Sequence, residues 1–308
     1  MNLASFQSAE WYQALSLIER LAAFRSCEER PRASETCDDA AEQRVREWRE
    51  QRPFDQNGYW AQRLSLDGLS EDEFRHLMCE SVAAVQERFT SPPEWLAELA
   101  RAFSLSEQSK DEVFTLPEPL REKPVAGFLT LVEPLIKHGR RQLRAGVLRL
   151  TQHYAVMPFD PATVVDVLSI NLLPKLLGMM SRTLILELNV ARLQNLLEAE
   201  TPEQRFACFV ERLRRTDVAL DLLREYAVLA RRLNNAVRQW VAFSLEFLEH
   251  LCADWEELCA VFSPEAAPGV LVRVQGDAGD AHRDGRAVLI AEFASGFQVA
   301  YKPRSLAV

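Results

Sequence analysis

Apolar residues recur every three or four positions from Trp11 to about residue 265, which is the spacing of a buried helix face. Two capping boxes mark helix starts within this region. Ser70 precedes Glu73 by three residues, and Thr201 precedes Gln204 by the same distance. Because no fixed repeat accompanies this periodicity, it indicates packed helices rather than a solenoid.

Asp160-Pro161 opens another apolar-periodic segment, and Pro174 lies inside it. Proline removes a backbone donor and its ring clashes with the preceding turn. We therefore expect a helix that begins near Asp160 and is broken or kinked at Pro174.

After Pro264 the pattern changes from helical to extended. Residues 270–274 are a short β-type run, and residues 287–293 form a second apolar strand after a polar loop. Residues 297–302 then alternate with period two, so Phe297, Val299 and Tyr301 share one face. The sequence predicts an α+β fold class, mostly α-helical and then antiparallel. The predicted parts are a helical region at 1–103, a connecting segment at 104–124, a second helical region at 125–265 and the strand region at 266–308.

Composition and charge argue against some classes of function. The net charge of −9 gives no footprint for general nucleic-acid binding. Basic clusters around Arg140, Arg212 and Arg231 are interpreted as solvated helix faces, with anion or peptide binding as the alternative. The N-terminus does not resemble a signal peptide, and polar residues interrupt the apolar stretch Val164–Leu177, so we expect a cytoplasmic protein without a membrane span.

The six cysteines form no CxxC pair and are expected to be reduced packing thiols. His250, Cys252, Asp254 and Cys259 are the types of residue that bind zinc. However, Cys252 and Cys259 would lie two turns apart on one helix, too far for one tetrahedral ion. We therefore predict no metal site within these residues.

The last forty residues follow the order strand, glycine-bearing loop, strand, hairpin, strand ending in lysine. This order is found in the small lobe of protein kinases, where a third-strand V-A-I-K lysine contacts the ATP phosphates. Here the strand reads Val299-Ala300-Tyr301-Lys302. Ala300 shares a face with Lys302 and leaves room for a nucleobase, while Pro303 favours an extended conformation at Lys302. The alternative is an ordinary sheet with a surface lysine at its end.

The loop between the first two strands favours the functional interpretation. It has twelve residues, whereas a plain hairpin needs two to five, and long ordered loops are often functional. It holds three carboxylates, one histidine and two arginines, but it lacks the kinase G-x-G-x-x-G pattern. The hypothesis requires Lys302 to face a cleft beneath this loop.

Three motifs now give a specific resemblance. Residues 279–286 read GDAHRDGR, residues 293–296 read FASG, and residues 301–305 read YKPRS. In this order they resemble the G-D-x-H-x-x-G-R, F-x-S-G and Y-K-P-R-S run of class II lanthipeptide synthetases. Two departures are Ala287, where the family usually has serine, and Ala300, where a larger apolar residue is common. Upstream, four segments resemble parts of that family's helical region: residues 48–54, 91–95, 186–193 and 201–206.

The resemblance implies a dehydratase with a kinase-like fold, distantly similar to lipid kinases. Such enzymes use ATP and Mg²⁺ to phosphorylate Ser and Thr of a precursor peptide carrying a leader segment. They then eliminate phosphate to give dehydroamino acids, and a separate zinc cyclase closes thioether rings.

The resemblance also assigns residues. Lys302 matches the family's ATP-phosphate lysine, and Asp280 and His282 match a loop pair implicated in dehydration. A histidine that titrates near neutrality can exchange protons during elimination, with a carboxylate to orient it. Arg286 and Arg304 are candidate phosphate ligands, and a strand-end ion pair is the alternative for each.

The family's remaining kinase-type residues, including its Mg²⁺ ligands, and its zinc cyclase are expected beyond Val308. The chain is therefore interpreted as an N-terminal fragment of a synthetase. Two alternatives stay open: a non-enzymatic helical peptide-binding module or inactive remnant, and a different kinase-like phosphotransferase.

Residues 1–308 alone are expected to have no dehydratase activity, because positioning and metal-held charge supply nearly all catalysis in kinases. The test is incubation of the purified chain with a candidate precursor peptide, ATP and Mg²⁺, followed by mass spectrometry. Robust loss of water from the peptide would contradict the expectation.

Overall fold

The structure, a computed structural model, describes residues 6–26, 39–108, 116–263, 265–276 and 286–303. Its architecture is about 70% helical with one small antiparallel sheet near the C-terminus, which confirms the predicted α+β class. The helices in the described ranges are α1 (Leu17–Ser26), α2 (Asp39–Glu50), α3 (Tyr59–Leu66), α4 (Glu71–Cys79), α5 (Val82–Glu87), α6 (Glu94–Gln108), α7 (Glu118–Arg121), α8 (Glu133–His153), α9 (Val164–Leu193), α10 (Pro202–Leu213), α11 (Thr216–Glu225), α12 (Ala227–Ala253) and α13 (Trp255–Phe262). The described residues also contain two 3₁₀ segments, Ala9–Ala14 and Pro124–Val132. The three strands are β1 (Leu271–Gln275), β2 (Leu289–Phe293) and β3 (Gln298–Tyr301).

The chain forms two compact units. One contains Glu98–Leu223 and Leu229–Val308, and the other contains Asn2–Ala97 and Arg224–Val228. The region boundaries predicted from the sequence pattern, at residues 103, 124 and 265, stay a prediction.

Aromatic packing organises the unit that contains Asn2–Ala97. Trp60 meets Phe74 edge to face at a centroid distance of 4.9 Å, and Phe54 packs against Trp60 in the same way at 6.2 Å. The predicted capping box fixes the start of α4, because the Ser70 hydroxyl accepts from the Glu73 amide and the Glu73 carboxylate accepts from the Ser70 amide. Phe74 is thereby held on the buried side of α4.

One cysteine departs from expectation. Cys79, at the end of α4, is disulfide-bonded, so the expectation of reduced cysteines is wrong for this residue. Cys208, Cys252 and Cys259 carry free thiols, as expected. Cys27 and Cys37 lie outside the described residues.

Helix α9 crosses Pro174 without interruption, so the expected break is wrong. The helix begins at Val164, and the Asp160 carboxylate accepts hydrogen bonds from the Ala162 amide and the Thr163 hydroxyl just before it. Pro174 and Ile170, four residues earlier, are both exposed, so water can satisfy the carbonyl that proline leaves without a donor.

By length and composition, α9 is apolar enough to cross a membrane. Half of its most apolar stretch is buried within the protein, and a core helix passes the same test. The helix is therefore weak evidence for a span.

Helices α8 and α12 approach closely at glycines. A Cβ added to Gly139 would lie 2.4 Å from Cγ1 of Val237, and one added to Gly146 would lie 2.3 Å from Cδ2 of Leu245. Val237 is β-branched and stiff within a helix, so it cannot easily move aside. Only a residue without a Cβ fits between the two backbones at Gly139.

The sheet has the order β1-β2-β3 and is antiparallel throughout. Leu289, Ala291 and Phe293 of β2 are buried and alternate with half-buried residues. Ala291 pairs with Val274 on one side and with Val299 on the other, so the inward residues of the three strands line up. A bulge between Leu271 and Arg273 keeps both Leu271 and Val274 buried.

The inward face of the sheet packs against helices α8, α9, α12 and α13. Phe293 stacks obliquely on Trp255 of α13 at a centroid distance of 5.0 Å, and Tyr301 meets Phe247 of α12 at 5.2 Å. Phe297, Val299 and Tyr301 all contact this core, which confirms the predicted face.

Gly139→Ala is expected to be less favourable than Gly178→Ala by about 1–3 kcal/mol in the free energy of unfolding. Both substitutions gain the helix preference of alanine, about 1 kcal/mol. Gly178 lies in α9 with nothing within 4 Å of an added Cβ, so only Gly139→Ala adds a clash. Urea denaturation measures the difference, and equal stabilities would contradict the close approach of α8 and α12.

Candidate functional site

One end of the sheet brings together the ends of β1 and β3 and the start of β2. Because the strands are antiparallel, Gln275 at the end of β1, Leu289 at the start of β2 and Tyr301 at the end of β3 lie at the same end. Leu289 pairs directly with Tyr301. The loop predicted to carry the chemistry joins β1 to β2 at this end, and Lys302 follows Tyr301. Lys302 therefore lies at the end of the sheet from which the loop leaves and to which it returns.

Lys302 is exposed. Since strand residues alternate, it shares a face with Ala300, which is also exposed, while Tyr301 points towards the helices. On the same open face Ala300 pairs with Ile290 of β2, so a small and an apolar side chain lie side by side near the lysine. This arrangement agrees with the predicted faces of β3.

Three predicted site residues, Asp280, His282 and Arg304, lie outside the described residues. The required cleft between Lys302 and the loop is therefore untested.

Asn171 of α9 fixes the point where the loop departs. Its side-chain amide donates to the carbonyl of Val274 at 3.3 Å and accepts from the amide of Gly276 at 3.2 Å. An added Cβ at Gly276 would lie 3.2 Å from Cγ of Asn171, so glycine permits this close approach. The two hydrogen bonds attach the backbone at the end of β1, just before the loop, to a core helix.

Glu246 of α12 fixes the point where the loop returns. Nε and Nη2 of Arg286 lie 3.1 and 2.6 Å from the same carboxylate oxygen of Glu246. Of the two interpretations of Arg286, the ion pair is the one present. A phosphate-binding role for this residue stays a prediction.

Tyr301 combines apolar packing with one polar contact. Its hydroxyl lies 2.8 Å from Nδ1 of His250. Burial, followed by the negative charge of Glu246, raises the pKa of Tyr301 to about 12, although nearby Arg286 opposes the shift. The phenol therefore stays protonated near neutral pH, and it can donate to a neutral imidazole or accept from it.

A pocket opens on the helical face of the sheet, beside the start of the loop. Trp240 and Phe243 of α12 line it together with Asn171, Lys175 and Gly276. It lies on the face opposite to Ala300, so it is separate from the surface that Lys302 occupies.

No group of three or more His, Cys, Asp or Glu side chains is arranged to hold a metal ion within the described part of the chain. His250 is engaged with Tyr301. Burial, and then the charge of Glu249, raises the pKa of Cys252 to about 11, which keeps it a neutral thiol and a poor ligand.

Asn171, Glu246 and His250 were not among the predicted site residues. Glu246 and His250 are four residues apart and so share one face of α12, which is a signal visible in the sequence. Nothing in the sequence indicates which strand residues that face would contact.

Comparison with known proteins finds a family match in this region. Residues 226–308 match the model of a family described as a domain of unknown function, DUF4135. This domain is associated with lanthipeptide synthetase-like proteins. The match covers α12, α13 and the sheet, and it leaves out α9, which contributes Asn171 to the candidate site. No curated protein matches the chain.

Asn171→Ala is expected to lower the free energy of unfolding by about 1–2 kcal/mol, because it leaves the partly buried carbonyl of Val274 and amide of Gly276 without this partner. Hydrogen exchange at the Gly276 amide should accelerate in parallel. Asn189→Ala is the matched control, since Asn189 is exposed on the same helix and donates only to the carbonyl of Ile185. Its effect should stay within about 0.5 kcal/mol, and an equal effect of both substitutions would contradict the clamp.

Proposed function

We propose that this chain is the N-terminal part of the dehydratase of a class II lanthipeptide synthetase. In this proposal the parent enzyme phosphorylates Ser and Thr of a precursor peptide with ATP and eliminates phosphate to give dehydroamino acids. The observation that carries the proposal is the position of Lys302 at the sheet end where the loop with the G-D-x-H motif departs and returns.

The open face of the sheet supports nucleotide binding. A lysine ammonium is a compact charge suited to phosphate oxygens. Ala300 lies two residues before it and is exposed beside Ile290, so a flat nucleobase would meet small and apolar groups there. Small-molecule sites are lined mainly by apolar side chains, so this surface suits the flat face of an adenine ring.

The anchored loop stems support a functional loop. Asn171 holds Gly276 at the outgoing stem and Glu246 holds Arg286 at the returning one, so both stems are bound to core helices. A histidine in such a loop can exchange a proton at the β-elimination step, and Asp280 would orient it. Mg²⁺, when bound with ATP, would neutralise phosphate charge, and its ligands are expected elsewhere in the parent enzyme. Zinc belongs to the cyclase in this proposal.

The two arginines differ in what they can contribute. Arg286 is paired with Glu246, so in this state it orders the returning stem, and binding phosphate would compete with the ion pair. Arg304 is retained as a candidate phosphate ligand on the resemblance alone. The partners proposed for the parent enzyme are ATP and the leader-bearing precursor peptide in the cytoplasm.

A second candidate is a non-enzymatic peptide-binding module. Exposed apolar residues along the second half of α9 and just after it favour this alternative, since exposed apolar patches often mark interaction surfaces. The residues are Ile185, Leu186, Leu193 and Leu196.

Selective labelling of Lys302 by an acyl-phosphate derivative of ATP tests the proposal. This reagent transfers its acyl group to a lysine amine beside the bound phosphates. We expect Lys302 to be labelled several-fold more than Lys123 and Lys175 in the same digest, and excess ATP to remove the difference. Lys123 is a suitable internal control because it is also exposed but lies in another part of the chain.

Ala300→Leu should abolish the preference for Lys302, because the larger side chain would occupy the surface proposed for the nucleobase. Gln298→Leu, on the same face but farther from the lysine, should preserve it. Equal labelling of all three lysines, insensitive to ATP, would contradict nucleotide binding. Peptide binding under those conditions would favour the non-enzymatic module.

A further inference from the structure

One turn of α12 contacts both elements that the proposed nucleotide site uses. Glu246 and His250 are four residues apart and lie on the same side of the helix. Glu246 binds Arg286 at the returning stem of the loop, and His250 binds Tyr301 at the end of β3. Tyr301 immediately precedes Lys302.

The end of β3 has few other constraints. The strand has four residues and lies at an edge of the sheet, where β2 is its one pairing partner among the described residues. The last cross-strand pair is Leu289 with Tyr301, so Lys302 lies one residue beyond the ladder. Its direction therefore depends on how firmly Tyr301 is held.

Tyr301 is held by its ring and by its hydroxyl. The ring lies 5.2 Å from that of Phe247 and 6.1 Å from that of Phe243, which fixes its depth against α12. Ring packing alone permits sliding and tilting, whereas the hydrogen bond to His250 adds a directional contact at the far end of the side chain. Because neighbouring side chains in a strand point to opposite faces, fixing Tyr301 on the helical face fixes Lys302 on the open face.

We propose that His250 and Tyr301 are positioning residues that hold the Lys302 ammonium towards the polyphosphate of a bound nucleoside triphosphate. The inference rests on the proposed function and deepens it. Neither residue touches the nucleotide. The same helical turn anchors the loop through Glu246 and Arg286, so the lysine and the loop share one support.

Tyr301→Phe and His250→Ala test the inference, with the acyl-phosphate derivative of ATP as the probe on the full 308-residue chain. Tyr301→Phe keeps the ring packing and removes only the hydroxyl. Each substitution should raise the probe concentration for half-maximal labelling of Lys302 by about threefold to tenfold, the range expected for one lost hydrogen bond. The double variant should be no worse than either single variant, because both remove the same bond.

Three controls separate positioning from general destabilisation. His250→Asn puts a polar atom where Nδ1 was and should largely restore labelling, whereas His250→Gln puts it near the position of Nε2 and should not. Tyr154→Phe is the matched tyrosine control, since Tyr154 also contacts a histidine ring, that of His153, and is not a residue of the sheet. It should leave labelling unchanged. Urea midpoints should show that every variant is folded, and the midpoints of His250→Asn and His250→Gln should agree with each other.

The outcomes are distinguishable. If the unsubstituted chain shows no ATP-protected labelling of Lys302, the proposed function fails and the inference falls with it. If that labelling is present but Tyr301→Phe and His250→Ala leave it unchanged, only the positioning role is overturned. Labelling that is no better in His250→Asn than in His250→Gln, or a loss that tracks the urea midpoint, also overturns it.

Discussion

Burial of one face of a small sheet against core helices is the interaction on which the candidate site depends. The three strands have only four or five residues each, and packing one apolar face of the sheet on a helical layer buries the side chains of that face. Phe293 against Trp255 and Tyr301 against Phe247 anchor that face. Because side chains alternate, anchoring one face determines which residues the other face presents, and Lys302 is among them.

Local sequence signals predicted the parts of the fold that local physics controls. The capping box at Ser70 begins α4 as expected, and the alternation after Phe297 gives the correct faces of β3. The break expected at Pro174 does not occur, because the cost of an internal proline depends on its surroundings: on an exposed side of a helix, water can replace the lost donor. The disulfide at Cys79 was missed because pairing depends on spatial proximity, which cysteine spacing alone does not reveal.

The site was predictable only in part, for a related reason. Lys302 and the loop were predicted because strand order and motif spacing can be read directly from the sequence. Asn171 lies more than one hundred residues before its partner Gly276, and His250 lies fifty-one before Tyr301. Such long-range pairs arise from the packing of α9 and α12 on the sheet. The match of residues 226–308 to DUF4135 covers α12 and the sheet together but omits α9.

The bulge in β1 has a consequence for the loop three residues later. Val272 is the extra residue, and it shifts the phase of the strand by half a pleat, so that Val274 turns inwards and the backbone of Gly276 meets Asn171. With a regular strand in its place, the same carbonyl and amide would be rotated away from α9. One inserted residue thus decides whether the backbone at the end of β1 is bound to a core helix or exposed at the end of the sheet.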